Sequence, residues 1–388
     1  MDGVRTRWRP QWKGSATMTT TTEATVDTTV NDERRDALVE RLFGSLLGGM
    51  ELLSIDLGRR LGLYATLSES GAETAAGFAR RARIAERYAQ EWLEQQAVAG
   101  ILDVDAPDRP SAERRYTLPA AHADVLVHAE HPANLMGAAP SLTGLACTLA
   151  AVAEAYRTGT GVSYADFGAE IRHGIGAFNR PMFVGELAGT WLAALPEVRD
   201  RLAQGGCVLD VGCGTGWSSI ALARAFPQTT VVGIDLDEAS IADARDNAER
   251  AGVADRVTFE VRNAAAYHPA GASRYDLACL FEALHDMGEP VAALRRIRAA
   301  LAPGAPVLIA DERVAERFTA PADEVERFMY GWSVLHCLPA TIDESDAVAN
   351  GTVLREGTVR DWARQAGFRQ VQTLPIDNDF WRFYRLDA

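Results

Sequence analysis

The chain lacks the apolar run of roughly 18 residues that a bilayer-spanning helix requires. Its N-terminus, MDGVRTRWRPQWKGSATMTTTTEATVDTTV, carries Arg and Lys but no apolar stretch that would make a secretory signal. A soluble, cytoplasmic protein is the expectation. Paired cysteines are lacking too: Cys147, Cys207, Cys213, Cys279 and Cys337 form neither a CxxC pair nor an even, closely spaced set. That argues for reduced thiols and against disulfides or a structural zinc. Positive charge is in deficit, with a formal net charge of −14, which speaks against nucleic acid or an anionic membrane as a main partner. No internal repeat is visible. His122, His128 and His131 do not have HExxH spacing, and His336 with Cys337 has no second ligand pair, so they read as surface, capping or core residues and no metal site is expected.

What is present suffices for a sizeable core: 388 residues at 47% hydrophobic content, a length suggesting two or three domains. Residues 1–33 are polar and Thr-rich and are expected to be disordered, having little apolar surface to bury. From residue 34 the segment RRDALVERLFGSLLGGMELLSIDLGRRLGLYATL repeats apolar residues every three or four positions, as amphipathic helices do. Helices over AETAAGFARRA and AERYAQEWLEQQAVAGIL follow, then short strands beginning at Ile101–Leu102 and over Arg115–Leu118, the outline of a winged helix with a two-stranded wing over 34–120. Residues 121–195 read as a helical linker and cap. From 196 to 388, β-branched runs alternate with helices, the pattern of a parallel sheet covered on both faces. The last two strands, FRQVQTLPI and FWRFYRLD, are joined too briefly for a parallel crossover and are expected to pair antiparallel at the edge.

In VLDVGCGTGWSS the glycines Gly212, Gly214 and Gly216 lie on the first strand-to-helix turn of this sheet, at the strand ends where such folds bind ligands. The dinucleotide fingerprint wants a sixth-position glycine where Trp217 stands. Asp210, two residues before the first glycine, would repel a pyrophosphate but attract a ligand with an ammonium and a sulfonium, which points to S-adenosylmethionine (SAM). Asp235, ending the next strand in GIDL, is placed to accept from both ribose hydroxyls. After the next strand in turn, Asn263 closes FEVRN; Leu236 and Ala264 flank these positions and complete the candidate cofactor set.

With VLDVGCGTG as its first motif and GID as its acidic second, the segment from 196 resembles class I methyltransferases. The resemblance implies a mostly parallel seven-stranded Rossmann-like α/β sheet with an antiparallel C-terminal edge. It also implies that the three glycines make room for the methionine part of SAM and that Asp235 binds its ribose. Asn263 stands where the family usually has Asp near the adenine, and its amide oxygen could still accept from the adenine amino group. The sequences LGLYATL, EWLEQQAVAGIL and RYTLP resemble the winged-helix dimerisation domain of small-molecule O-methyltransferases of secondary metabolism, an actinobacterial branch in particular. A homodimer and a small-molecule substrate are thereby implied.

LFEALHDMGEP ends the fourth strand of the domain and sets His285 and Asp286 at the cofactor edge. An imidazole with an ordinary pKa near 6.5 suits deprotonation of a hydroxyl at neutral pH, and His285 matches the base of the LHDW segment in the resembling enzymes, with Met287 in place of Trp. Asp286 either orients that imidazole or serves as a turn or helix-cap carboxylate. Tyr164, Phe167, Phe178, Asn179, Met182 and Phe183, with Trp332 further on, are candidates for the substrate pocket. A methyl transfer to a hydroxyl is the leading reading. A winged-helix transcription regulator is the alternative from another class, but between Arg59 and Arg115 nine Arg balance nine Asp plus Glu, with no basic face for DNA. A methyltransferase-like tailoring enzyme doing C- or N-methylation, hydroxylation or decarboxylation is a further alternative.

Overall fold

Burial of the apolar stripes begins in the N-terminal half. The computed structural model describes residues 25–268, 274–345 and 347–388, in two units, Met1–Met50 and Glu51–Ala388. In the first unit the described residues belong to the helix Thr25–Arg60, and Leu38, Leu42, Leu46, Leu47 and Met50 on it are exposed. Residues 25–33, expected to be disordered, are helical: each residue added to an existing helix gains a backbone hydrogen bond without needing apolar burial. The remainder of the expected disordered segment, residues 1–24, lies outside the described residues.

In the second unit the helices Leu63–Ser70, Ala75–Ala82 and Glu86–Val98 enclose a core of Leu63, Leu67, Phe78, Trp92 and Leu93, with Phe78 and Trp92 stacked at 6.0 Å. Strands β1 (Glu73–Thr74), β2 (Asp103–Asp105) and β3 (Arg115–Thr117) form an antiparallel sheet in the order β1-β3-β2. The wing therefore has three strands rather than two. Thr74 is extended, pairs with Arg115 and caps the next helix, its side chain accepting from Gly77 N at 3.2 Å, so the helix expected from residue 72 starts only at Ala75. Leu102 precedes its strand and fills the core instead.

Helix Ala138–Thr158 corrects the expectation about apolar runs. Among the described residues it is long and apolar enough, by length and composition, to cross a membrane, with a mean hydropathy of 1.3. Its Ala, Gly and Ser residues pack: a Cβ on Gly144 would come within 2.6 Å of Ile171, and one on Gly174 within 2.4 Å of Ser141, so this helix and Tyr164–Met182 approach through small residues.

The large sheet holds β4 (Cys207–Val211), β5 (Thr230–Asp235), β6 (Val257–Val261), β7 (Leu277–Phe281), β8 (Val307–Glu312), β9 (Gln370–Thr373) and β10 (Trp381–Asp387) in the order β6-β5-β4-β7-β8-β10-β9. The first five are parallel, and β10 is antiparallel to both β8 and β9. Alternate residues serve opposite faces, as the period of two requires: Leu277, Cys279 and Phe281 join the core of Trp191, Ile220 and Phe383, while Ala278 and Leu280 join that of Leu294, Ile297 and Trp362. The chain order reverses between β4 and β7, which opens a crevice at their carboxyl ends.

Candidate active site

A cavity of about 430 Å³ lies at that crevice. Its floor is the turn after β4. Gly212 and Gly214 have φ of 70° and 49°, and both line the cavity. A Cβ on Gly212 would come within 2.4 Å of Ala283, whereas the space beside Gly214 is open. Asp235 Oδ2 accepts from Gly214 N at 2.8 Å and Oδ1 from Asp237 N at 2.9 Å. Burial pushes this carboxyl up to about 6 against those two amides. Leu236, Asn263 and Ala264 line the same end. Asn263 Oδ1 already accepts from Ala265 N at 2.7 Å, capping the turn Ala264–Ala266, so one lone pair of the acceptor expected for adenine is spent.

Two residues expected to face the ligand do not. Asp210 is buried under the turn, where Oδ2 takes the hydroxyls of Ser218 and Ser219 at 2.6 Å each, and burial raises its pKa. A carboxylate inside the sheet lowers its cost by local hydrogen bonds rather than by meeting a ligand, so Asp210 fixes the start of helix Trp217–Ala225. Gly216 stands just before that helix at φ 83°, and a Cβ there would strike Phe259 at 2.6 Å. Its lack of a side chain serves the contact between helix and strand.

At the other end, β7 runs into Glu282, a non-glycine residue with φ of 50°. Such backbone strain is tolerated where surrounding contacts hold it. Here Glu282 accepts from Trp381 Nε1 at 2.7 Å and from Asn179 Nδ2. The following turn, Leu284–Asp286, sets His285 in the wall, 3% exposed. Its Nδ1 meets Asp311 Oδ1 at 2.9 Å, and Asp286 Oδ1 stands 3.3 Å from Nε2 without forming a hydrogen bond. Burial by itself would lower the imidazole pKa, but Asp286 and Asp311 together hold it well above the ordinary value. Asp311, at the end of β8, therefore does the orienting that Asp286 was considered for. The helix Pro290–Ala300 has Glu289 at its N-cap position, so Asp286 does not cap it.

Tyr164, Phe178, Asn179, Phe183 and Trp332 line the cavity. Met182 does not; it packs against the core of the sheet domain. Phe167 is buried behind His336, ring to ring at 4.4 Å. Phe178 stacks on Phe328 at 6.3 Å and meets Phe380 edge-on at 6.0 Å, so three aromatic rings from distant segments share the cavity with an acid-rich wall of Glu282, Asp286 and Glu312. Part of the roof is π-helix, Phe183–Trp191 and Ser333–Cys337, a backbone form concentrated at functional sites. His336 is buried in it, lowered to about 4 by burial, with Nε2 unpartnered. The ligating atoms of His285, Asp286 and Cys337 lie within 4.8 Å of one another, but burial pushes the Cys337 thiol up to about 12 and Asp311 occupies the second nitrogen of His285.

Sequence reading passed over Glu282, Asp311, Glu312, Phe328 and Phe380. For Asp311 and Glu312 a signal existed: LIADE ends a parallel strand in two carboxylates at the ligand-binding edge.

Comparison with known proteins agrees with this geometry. Residues 202–362 match a methyltransferase domain family, and residues 49–128 match the Rv2258c-like winged HTH domain. The 27-O-demethylrifamycin SV methyltransferase of Amycolatopsis mediterranei is 34% identical over 124 residues, 30% of this chain, and the O-methyltransferase cnsE of Penicillium expansum is 36% identical over 126 residues, 32% of this chain. The chain spans 45% of the length of each. Among solved structures, the mitomycin 7-O-methyltransferase MmcR superposes with a TM-score of 0.61 at 20% identity, over 92% of this chain and 100% of that one. Human N-acetylserotonin methyltransferase in complex with SAM does so with 0.62 at 18% identity, over 90% and 97%. At such identities the likeness is one of fold. The residues at the glycine end fit the cofactor: open space beside Gly214, and an Asp235 carboxyl that lines the cavity and is steadied by the amides of Gly214 and Asp237. Residues 202–362 thus form a methyltransferase domain, preceded by a winged HTH domain over 49–128, and the glycine end of its β4–β7 crevice suits SAM.

Proposed function

We propose that the protein methylates a hydroxyl of a small, flat aromatic metabolite, with His285 as general base. The observation that carries this is His285, held by Asp311, lining one cavity with Phe178, Phe328 and Trp332. SAM, when bound, supplies a methyl group on a sulfonium. Asp235 would hold the ribose hydroxyls, Leu236, Asn263 and Ala264 the base, and Gly212 and Gly214 would leave room for the chain. Asp311 holds Nδ1 of the imidazole, which leaves Nε2 to exchange the proton. As the methyl would pass to the acceptor oxygen, the hydroxyl proton would pass to Nε2 of His285. In the empty cavity Asp286 and Asp311 keep that nitrogen protonated; a second cation nearby, as a sulfonium is, favours its release. The deciding experiment offers the protein SAM and a panel of aromatic alcohols, amines and thiols and reads each product by mass spectrometry. Methylated alcohols are expected. Methylation confined to amines or thiols would refute the hydroxyl reading.

We infer further that two chains associate. Leu38, Leu42, Leu46, Leu47 and Met50 on the first helix are exposed, an apolar run of the kind that marks a protein interface. Light scattering at micromolar concentration should give about twice the chain mass of 41.9 kDa, and Leu42→Glu with Leu46→Glu should return it to one. A wild-type monomer would sink the idea.

A further inference from the structure

The hydrogen-bonding capacity left open on the acid-rich wall is that of carboxyl groups. Glu312 ends β8, lines the cavity and is 3% exposed, and its Oε2 is buried without a partner. Asp286 Oδ1 on the same wall makes no hydrogen bond but is paired by charge with His285 Nε2 at 3.3 Å. Glu312 is held in place by its backbone: its amide donates to Asp311 Oδ1 at 2.9 Å, and it pairs in register with Trp381 of β10. The proton transfer does not need it, because the two nitrogens of His285 are attended by Asp311 and Asp286. Burial first, and then the carboxyl of Glu282, push Glu312 well above the ordinary carboxylate range, so in the empty cavity it keeps its proton, and a donor on a bound ring would favour the charged acceptor. An unfilled acceptor in such surroundings is unfavourable until a donor reaches it.

Glu312 lines the same cavity as His285, near enough for the two charges to interact, so a ring confined by Phe178 and Phe328 with its hydroxyl at His285 would bring a neighbouring substituent to the Glu312 side. We propose that Glu312 selects the acceptor by taking a hydrogen bond from a second donor, hydroxyl or amino, borne on the aromatic ring beside the hydroxyl that is methylated. This rests on the aromatic-hydroxyl reading above. A ring with hydrogen or an ether at that place leaves the buried carboxyl unsatisfied, and sites built around such a bond reject analogues that lack it.

The test is calorimetric binding of catechol, ortho-aminophenol and phenol to the full-length protein loaded with S-adenosylhomocysteine. Catechol or ortho-aminophenol should bind about tenfold or more tightly than phenol; which of the two leads tells a hydroxyl donor from an amino donor. Glu312→Met should bring the ratio close to one, and Glu312→Gln, which keeps one carbonyl acceptor, should leave an intermediate ratio. Thermal melting and affinity for S-adenosylhomocysteine establish that each variant is folded, and if the Met variant is not, the Gln variant decides. Equal binding of all three rings, binding of none, or a full ratio surviving in a folded variant overturns the proposal. Because binding is what is read, a protein that shows this preference yet methylates no alcohol would retain the Glu312 assignment and lose the transfer reading.

Discussion

The two ends of the cavity are made of different material. At the cofactor end the ligand meets backbone: two positive-φ glycines, and a carboxyl steadied by the amides of Gly214 and Asp237. At the acceptor end are side chains from separate elements: His285 after β7, Glu312 from β8, Asn179 from a helix, and Phe328 and Phe380 from further along. A site of backbone amides and turns is set by local geometry and holds one ligand across many proteins. A site of converging side chains is reshaped by single substitutions, which suits an acceptor that differs from enzyme to enzyme. The two ends should therefore separate under mutation, the acceptor end in turnover and the cofactor end in affinity.

The largest separation is expected at His285. General-base catalysis contributes about 10² to 10⁴-fold, so His285→Ala should lower turnover by that factor with SAM affinity nearly unchanged. His285→Gln keeps a hydrogen-bonding group of similar reach but takes no proton at neutral pH. Retention of most of the activity by the Gln variant would make His285 a positioning residue and remove the hydroxyl reading with it.

Asp311→Asn comes next. A hydrogen bond to a charged group contributes about 1.5–3 kcal/mol, so turnover should fall roughly 10- to 100-fold. The pH profile is the sharper readout. His285 is held well above its ordinary value, so transfer should rise with pH through that elevated pKa as the imidazole loses its proton. Removing the Asp311 charge should move the rising limb to lower pH. A limb that stays in place would assign the titration to another group.

Asp235→Ala should weaken SAM binding about tenfold or more through loss of an acceptor for two hydroxyl groups, as read by calorimetry. Since this carboxyl is raised to about 6, wild-type affinity should decline as pH falls through 6, when the acceptor is protonated. The mutant should lack that decline. Equal affinity in the two proteins would dissolve the distinction between the ends.

Much of the cofactor end was legible because its parts are contiguous. Gly212, Gly214 and Asp235 belong to two adjacent strands and their turns, and local pattern is enough to assign strands, turns and their order. Asp210 and Gly216 show where pattern falls short: both belong to the glycine motif, but one is turned inward to Ser218 and Ser219 and the other packs on Phe259. Which side of a motif faces a ligand depends on what lies behind it. At the acceptor end even membership was obscure, since Met182 and Phe183 are neighbours in sequence and only Phe183 reaches the cavity.

The sequence by itself determined the alternation of strands and helices, the antiparallel edge, the glycine turn and the placing of a histidine at the end of the fourth strand of the domain. Each of these follows from local conformational preference or from the apolar period along the chain. Tertiary structure alone decided that Asp311, 26 residues beyond His285, orients its imidazole, that Glu282 is held by Asn179 and Trp381 from 103 and 99 residues away, and that Glu312 faces the cavity with an open valence. The first spans neighbouring parallel strands, and the second joins the end of β7 to a distant helix and to the antiparallel β10. The chain must complete a helical crossover before such groups meet, and no period along the sequence records the meeting.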